Sequence, residues 1–172
     1  MARPLQQFGD FESTMLKLAL NTTNNNPAAA GAFSRDVYET LMLLLGVMIN
    51  TSEHCPSTRR SVDAWQGWDG SPLDKLMDVY LENRESAGTA DSVEKTSIAV
   101  AHGYLAILLG YLSLGGQVRR RLEEKSQGRG TKYLLDSIQV FMALHQKLDT
   151  DELTTSLQNL VNELRQRHRL SG

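Results

Sequence analysis

The 172-residue chain lacks the paired cysteines of a small disulfide-bonded protein and the long apolar segment of a membrane protein. It has a single cysteine, so an internal disulfide is excluded and a reducing compartment is the simpler expectation. Its first ten residues, MARPLQQFGD, have no apolar core of the kind found in signal peptides. The longest apolar run, Ile98 to Leu114, is shorter than a comfortable membrane span. We therefore expect that run to be a buried core helix and expect no membrane partner.

Charge of one sign is also lacking, because the formal net charge is only −2. The chain as a whole therefore has no strong attraction for nucleic acid or anionic lipid. Apolar residues make up 41% and charged residues 22%, which is ordinary for a folded domain and argues against wholesale disorder. The length suggests one domain with a real hydrophobic core.

Motifs that carry chemistry are missing from the sequence. No glycine-rich loop with Lys-Ser or Lys-Thr precedes a helix, and no cluster of Cys and His has the spacing of a zinc site. His54 and Cys55 are adjacent, but no motif supplies a base or further ligands for them. The paired acids Glu123 and Glu124 are expected to bind neighbouring arginines rather than to act in catalysis. We therefore predict a protein that is not an enzyme, with no catalytic residue, metal ion or cofactor.

Helical periodicity is present along most of the chain, whereas sustained alternation of apolar and polar residues is absent. The all-α class follows from this pattern. In chain order, the pattern predicts helices over about 11–21, from Ser34 to about Asn50, from Pro72, from Asp91 to Leu114, over 117–125, over 132–148 and after Thr150. Residues 55–70 are predicted as a loop, in which Trp65 and Trp68 either form a binding element or fold back on helix ends. His102, midway along the most apolar helix, is predicted to be a hydrogen-bonded core residue.

The predicted helices group into pairs over roughly 1–55, 71–115 and 130–168. Stacked antiparallel pairs of this length are typical of HEAT or armadillo-like helical repeats, although a plain helical bundle would give the same pattern. Asn21 and Asn50 each follow the apolar part of a helix. In a repeat, such an Asn at the inner end of a core helix would bind the backbone of a neighbouring loop. We expect residues 1–172 to form one domain, belonging to the C-terminal part of a longer protein.

The C-terminal third is basic, because residues 116–172 carry ten Lys and Arg against seven Asp and Glu. Its densest run is Arg119, Arg120 and Arg121. This basic patch is either a solvated helix face or a contact for DNA phosphates. No aromatic residues interleave with it, so reading of bases is not implied. A DNA-binding helical protein is the alternative function.

Three blocks of the sequence together resemble a known family. They are MLKLALNTTNNN (15–26), LGVMINTSEHCPSTRRSV (45–62) and IAVAHGYLAILLGYL (98–112), joined by LDKLMDVYLENRESA. Their order and spacing are similar to those of the C-terminal domain of the Wapl (wings apart-like) family of cohesin-release factors, in a form resembling the fungal members. Glu53 matches the family pattern in the second block and joins Asn21 and Asn50 as a residue expected to serve the repeat structure.

This resemblance implies a HEAT-like domain that binds cohesin, helps to open its ring and releases it from chromatin in the nucleus. The implied partners are the cohesin ATPase heads, the kleisin-bound HEAT-repeat subunits and the Pds-type regulator. The family's functional surface includes the start of the long buried helix, which corresponds to Glu94, Lys95, Thr96 and Val100. Thr96 departs from the larger apolar residue of some relatives.

Overall fold

The computed structural model describes residues 35–63, 71–84, 93–145 and 151–169. Within these ranges the chain forms seven α-helices and no strand, so the predicted all-α class is confirmed. The helices are α1 (Arg35–His54), α2 (Pro56–Asp63), α3 (Pro72–Asn83), α4 (Val93–Leu112), α5 (Gly116–Lys125), α6 (Gly130–His145) and α7 (Asp151–Arg169). The helix predicted over 11–21, together with Asn21, lies outside the described residues, as do Trp65 and Trp68.

The segment after α1 differs from its prediction as a loop. Helix α2 begins at Pro56, where proline is favoured because its fixed φ suits the first helical position. The Thr58 amide donates to the Cys55 carbonyl at 3.0 Å, and the Ser61 hydroxyl donates to the Ser57 carbonyl at 3.0 Å. One residue, Cys55, therefore separates two helices, and its side chain is exposed.

Helix α4 is the centre of the fold and contacts α1, α2, α3, α6 and α7. It is apolar on nearly every side, as expected for a helix that neighbours cover on several faces. Its second half is almost completely buried, with Ala106, Leu108 and Leu109 at 0% exposure. The prediction that this run is a core helix is confirmed.

Two glycines in α4 allow its neighbours to approach closely. A Cβ atom at Gly103 would overlap the Phe141 ring of α6. A Cβ at Gly110 would lie 3.2 Å from both Ile138 of α6 and Leu160 of α7. The absence of side chains at these two positions therefore sets the distance between α4 and the α6–α7 pair.

His102 of α4 is buried and hydrogen-bonded, as predicted. Its Nε2 donates to the Tyr80 carbonyl of α3 at 3.2 Å, and its ring stacks on the Tyr80 ring at 4.7 Å. Burial lowers the pKa of His102 below its usual value; the Tyr80 hydrogen bond opposes this shift, and the charge of Arg84 adds to it. The Tyr80 hydroxyl shares a 2.9 Å hydrogen bond with Ser137 of α6, and burial raises the pKa of Tyr80 to about 12. One end of α3 is thus joined to both α4 and α6.

The turn between α5 and α6 depends on a left-handed backbone and a carboxylate. Gln127 and Gly128 adopt φ values of 56° and 79°, and the Gly128 amide donates to the Glu123 carbonyl at 2.8 Å, which ends α5. The Glu123 side chain accepts hydrogen bonds from the amides of Gly130 at 2.8 Å and Thr131 at 2.9 Å, and from the Thr131 hydroxyl. Glu123 therefore caps α6, and the prediction that it would pair with a neighbouring arginine is wrong.

Helix α7 closes one side of the fold through a single apolar seam. Leu157, Leu160, Val161 and Leu164 are each no more than 2% exposed, whereas Leu153 is 37% exposed. Near the other end of α7, the Arg167 guanidinium donates to the Leu114 carbonyl at 2.8 Å. This contact fixes the C-terminal turn of α7 beside the end of α4.

Candidate interaction surfaces

The predicted partner surface lies at the start of α4. Glu94, Lys95 and Thr96 occupy the first turn of this helix, but their side chains lie outside the described residues. Val100 is half-buried and packs against the hydrophobic core. Val100 therefore belongs in part to the interior.

The predicted basic patch does not form one continuous surface. On α5, Arg119 is half-buried, Arg120 is exposed, and Arg121 forms an ion pair with Asp74 of α3. Consecutive residues on a helix point about 100° apart, so three adjacent arginines cannot share one face. Only Arg120 of the three is fully on the surface, and the charge of Arg121 is offset by a neighbouring carboxylate.

A second ion pair lies beside the first, and together the two pairs define the relative direction of α3 and α5. Lys125 of α5 contacts Asp78 of α3 at 2.7 Å, one helical turn beyond the Arg121–Asp74 pair. Both pairs join residues 47 positions apart in the chain. A constant sequence offset across two successive turns means that α3 and α5 run in the same direction where they touch.

The residues expected to serve a repeat occupy different environments. The expectation that Asn50 marks the inner end of its helix is wrong, because Asn50 is exposed and α1 continues to His54. Glu53 is half-buried, and its carboxylate accepts a hydrogen bond from the Tyr111 hydroxyl of α4. Burial, and after it the Glu53 carboxylate, raises the pKa of Tyr111. Glu53 therefore joins α1 to the central helix, a contact that the sequence did not reveal.

Arg59 of α2 completes this junction. Its guanidinium donates to the Ser52 carbonyl of α1 at 3.0 Å. Its positive charge lowers the pKa of Tyr111, whereas the Glu53 carboxylate raises it. Ser52 is only 3% exposed. Arg59 thereby provides a hydrogen-bond donor for a buried carbonyl group near the end of α1.

The outer face of α7 is a second charged surface, and its arginines belong to the basic C-terminal third of the sequence. A shallow depression of about 380 Å³ is lined by Asn162, Arg165, Gln166 and Arg169. All four residues are exposed. Their spacing of three, four and seven residues is the signal that could have identified this face, since it places them on one side of a helix.

Exposed apolar side chains form two short stripes. Leu43 and Val47 on α1 are 72% and 51% exposed, and Val140 and Leu144 on α6 are 60% and 46% exposed. Each pair is four residues apart and therefore lies on one helix face. Isolated exposed apolar residues are normal on a protein surface, so these stripes alone define no site.

The described part of the chain is a helical scaffold in which several polar residues join helices to one another. Within it, no group of three or more His, Cys, Asp or Glu side chains is placed to hold a metal ion. Among these residues, too, no helix combines the length and apolarity needed to cross a bilayer. Comparisons with protein-family models, curated proteins and solved structures found no match. The fold therefore defines an all-α protein, and its function must be argued from the surfaces described above.

Proposed function

We propose that α3 to α6 form two stacked helical hairpins of a HEAT or armadillo-like repeat. Helices α3 and α4 are in contact, as are α5 and α6, which gives two consecutive pairs. Helix α3 also touches α5, and α4 touches α6, so that the first helices and the second helices of the two pairs adjoin. Residues that face each other on α3 and α5 are 47 positions apart. This offset agrees with the length of HEAT and armadillo repeats, about 40–47 residues, and so supports the proposal.

In this arrangement α5 is the first helix of a repeat. The pairing predicted from the sequence has no partner for α5 and places α6 and α7 together in the last pair. Helix α6 contacts both α5 and α7, so α7 would cover the open face of the array.

We further propose that the chain is a protein-interaction domain of a cohesin-release factor. The observation that carries this proposal is that two of the three resembling sequence blocks, which lie on α1–α2 and on α4, pack against each other. Glu53, in the first of these blocks, is hydrogen-bonded to Tyr111 in the second. Residues that resemble the family in the sequence therefore also adjoin in space.

The proposed domain acts by binding rather than by catalysis. Its partners would be the cohesin ATPase heads, the kleisin-bound HEAT-repeat subunits and the Pds-type regulator, on chromatin in the nucleus. The surface proposed for these contacts begins at Glu94, Lys95 and Thr96. Binding there would favour opening of the ring, while ATP hydrolysis would belong to the partner.

A pull-down with purified cohesin subunits, combined with a chromatin-release assay, tests this function. The triple variant Glu94→Lys, Lys95→Glu, Thr96→Ala should lose at least tenfold in binding and should release cohesin more slowly. The double variant Glu124→Lys, Lys132→Glu makes the same two charge reversals at exposed positions on α5 and α6 and serves as the control.

Two results would contradict different parts of the proposal. Intact binding and release by the triple variant would show that the surface is wrongly placed. Unchanged cohesin release after removal of the whole chain from cells would refute the function itself.

A further inference from the structure

The C-terminal half of α7 carries arginines whose charge is not offset within the fold. Among the residues that the structure describes, Arg165 and Arg169 form no ion pair or hydrogen bond, and both are exposed. The nearest acid in the sequence, Glu163, instead contacts Arg167 at 3.7 Å. Arg165 and Arg169 are four residues apart, which places their Cα atoms about 6 Å apart along one side of the helix.

The helix holds these arginines on a fixed backbone. The opposite side of α7 is anchored in the core by Leu160, Val161 and Leu164. Arg167 ties the last turn to the end of α4 through the Leu114 carbonyl at 2.8 Å. A ligand at the outer face would therefore meet a surface whose backbone is already ordered, which reduces the entropic cost of binding.

The side chains on this face match the chemistry of phosphate groups. Guanidinium groups bind phosphate oxygens through two parallel hydrogen bonds, and the amides of Asn162 and Gln166 add further donors beside them. A partner helix or peptide is usually anchored by aromatic or aliphatic residues, and unpaired bases are usually stacked on aromatic rings. The four residues that line the depression include neither kind.

From these observations we propose that the outer face of α7, formed by Asn162, Arg165, Gln166 and Arg169, binds the phosphate backbone of duplex nucleic acid without reading its sequence. Arg165 and Arg169 each neutralise one phosphate. We assign the phosphate contact to this surface rather than to residues 119–121. The three arginines of that run point in different directions around α5, and Arg121 is paired with Asp74. The inference is independent of cohesin binding, because the surface proposed for cohesin lies on α4.

Two neutralised phosphates predict a definite dependence on salt. The logarithm of the association constant should fall with the logarithm of salt concentration with a slope of about −1.8, since each phosphate contact contributes about −0.9. Raising the salt from 50 to 200 mM should therefore weaken binding by about twelvefold.

Fluorescence anisotropy with the full chain and a labelled 20-base-pair DNA duplex tests the proposal. The double variant Arg165→Gln, Arg169→Gln should lose at least tenfold in affinity at 50 mM salt, and its remaining salt slope should be near zero. The control, Arg120→Gln with Lys132→Gln, removes the same net charge from exposed positions on α5 and α6 and should lose less than twofold.

Three outcomes would overturn the inference. Absence of salt-dependent duplex binding would exclude a phosphate contact, and an equal loss in the control would mean that only net charge matters. Tighter binding of a polyglutamate peptide or of single-stranded DNA of equal charge would assign the surface to a different partner. None of these outcomes bears on cohesin binding, which is measured separately by the pull-down.

Discussion

Replacement of Glu123 by alanine should destabilise the fold through the start of α6. The Glu123 carboxylate accepts hydrogen bonds from the Gly130 amide at 2.8 Å, the Thr131 amide at 2.9 Å and the Thr131 hydroxyl. Both donor residues are buried, and Thr131 is only 1% exposed. The variant would therefore leave helix-terminal donors with little access to water.

The size of this effect can be bounded in two ways. Loss of a side-chain cap costs about 0.5–2 kcal/mol, and a buried donor left without a partner costs about 1–3 kcal/mol. Because the Glu123 side chain is itself only half-buried, we expect a loss of about 2 kcal/mol in the free energy of unfolding. For a chain of this length, that loss lowers the melting temperature by about 4–8 °C. Glu123→Gln keeps one acceptor oxygen and should lose about half as much.

Urea and thermal unfolding, followed by circular dichroism, provide the assay. Glu124→Ala is the matched control, because it removes the same charge from the next residue, which is exposed. The control should change the free energy of unfolding by less than about 0.5 kcal/mol. Equal losses in the two variants would refute the assignment of Glu123 as the cap of α6.

Two further predictions concern α4. Gly110→Val should lower the free energy of unfolding by about 1–3 kcal/mol, because Ile138 and Leu160 already lie close to this position. The control is Gly46→Val, at a helical glycine with open space around it, and this change should be near neutral. Equal effects would contradict the close packing. Burial lowers the pKa of His102, so below about pH 6.5 the unfolded state binds more protons than the folded state. The free energy of unfolding should therefore fall as the pH drops through about 6.5, by at most about 1.4 kcal/mol per pH unit. His102→Gln should flatten this decline in urea unfolding, and an unchanged slope would show that another group is responsible.

Helix positions were predictable because they depend on local properties of the chain. The apolar run in α4 predicted its burial, and Pro72 at the first helical position correctly predicted the start of α3. Ser71 precedes the helix, but its hydroxyl makes no capping hydrogen bond. Helix α2 was missed because Val62 is the only aliphatic side chain after its initial proline, which is too few for a helical period to be recognised in the sequence.

The roles of polar residues were much harder to predict than the helices. Glu123 was expected to bind arginines nearby in the sequence, yet it caps the next helix. Asn50 was expected at the inner end of a helix, yet Glu53 and Arg59 make the contacts there. These outcomes depend on how the chain turns between helices, which periodicity does not encode.

By itself, the sequence determined that the described part of the chain is helical and that the apolar run beginning at Ile98 lies in its most buried helix. These properties arise from side-chain periodicity and from local φ and ψ preferences within a few residues. Only the tertiary structure decided that Asp74 pairs with Arg121 and that Asp78 pairs with Lys125. It also decided that Arg165 and Arg169 lie on an exposed helix face. The physical reason is that charge pairing depends on distances between helices that are far apart in the sequence, and only the packing of those helices sets these distances.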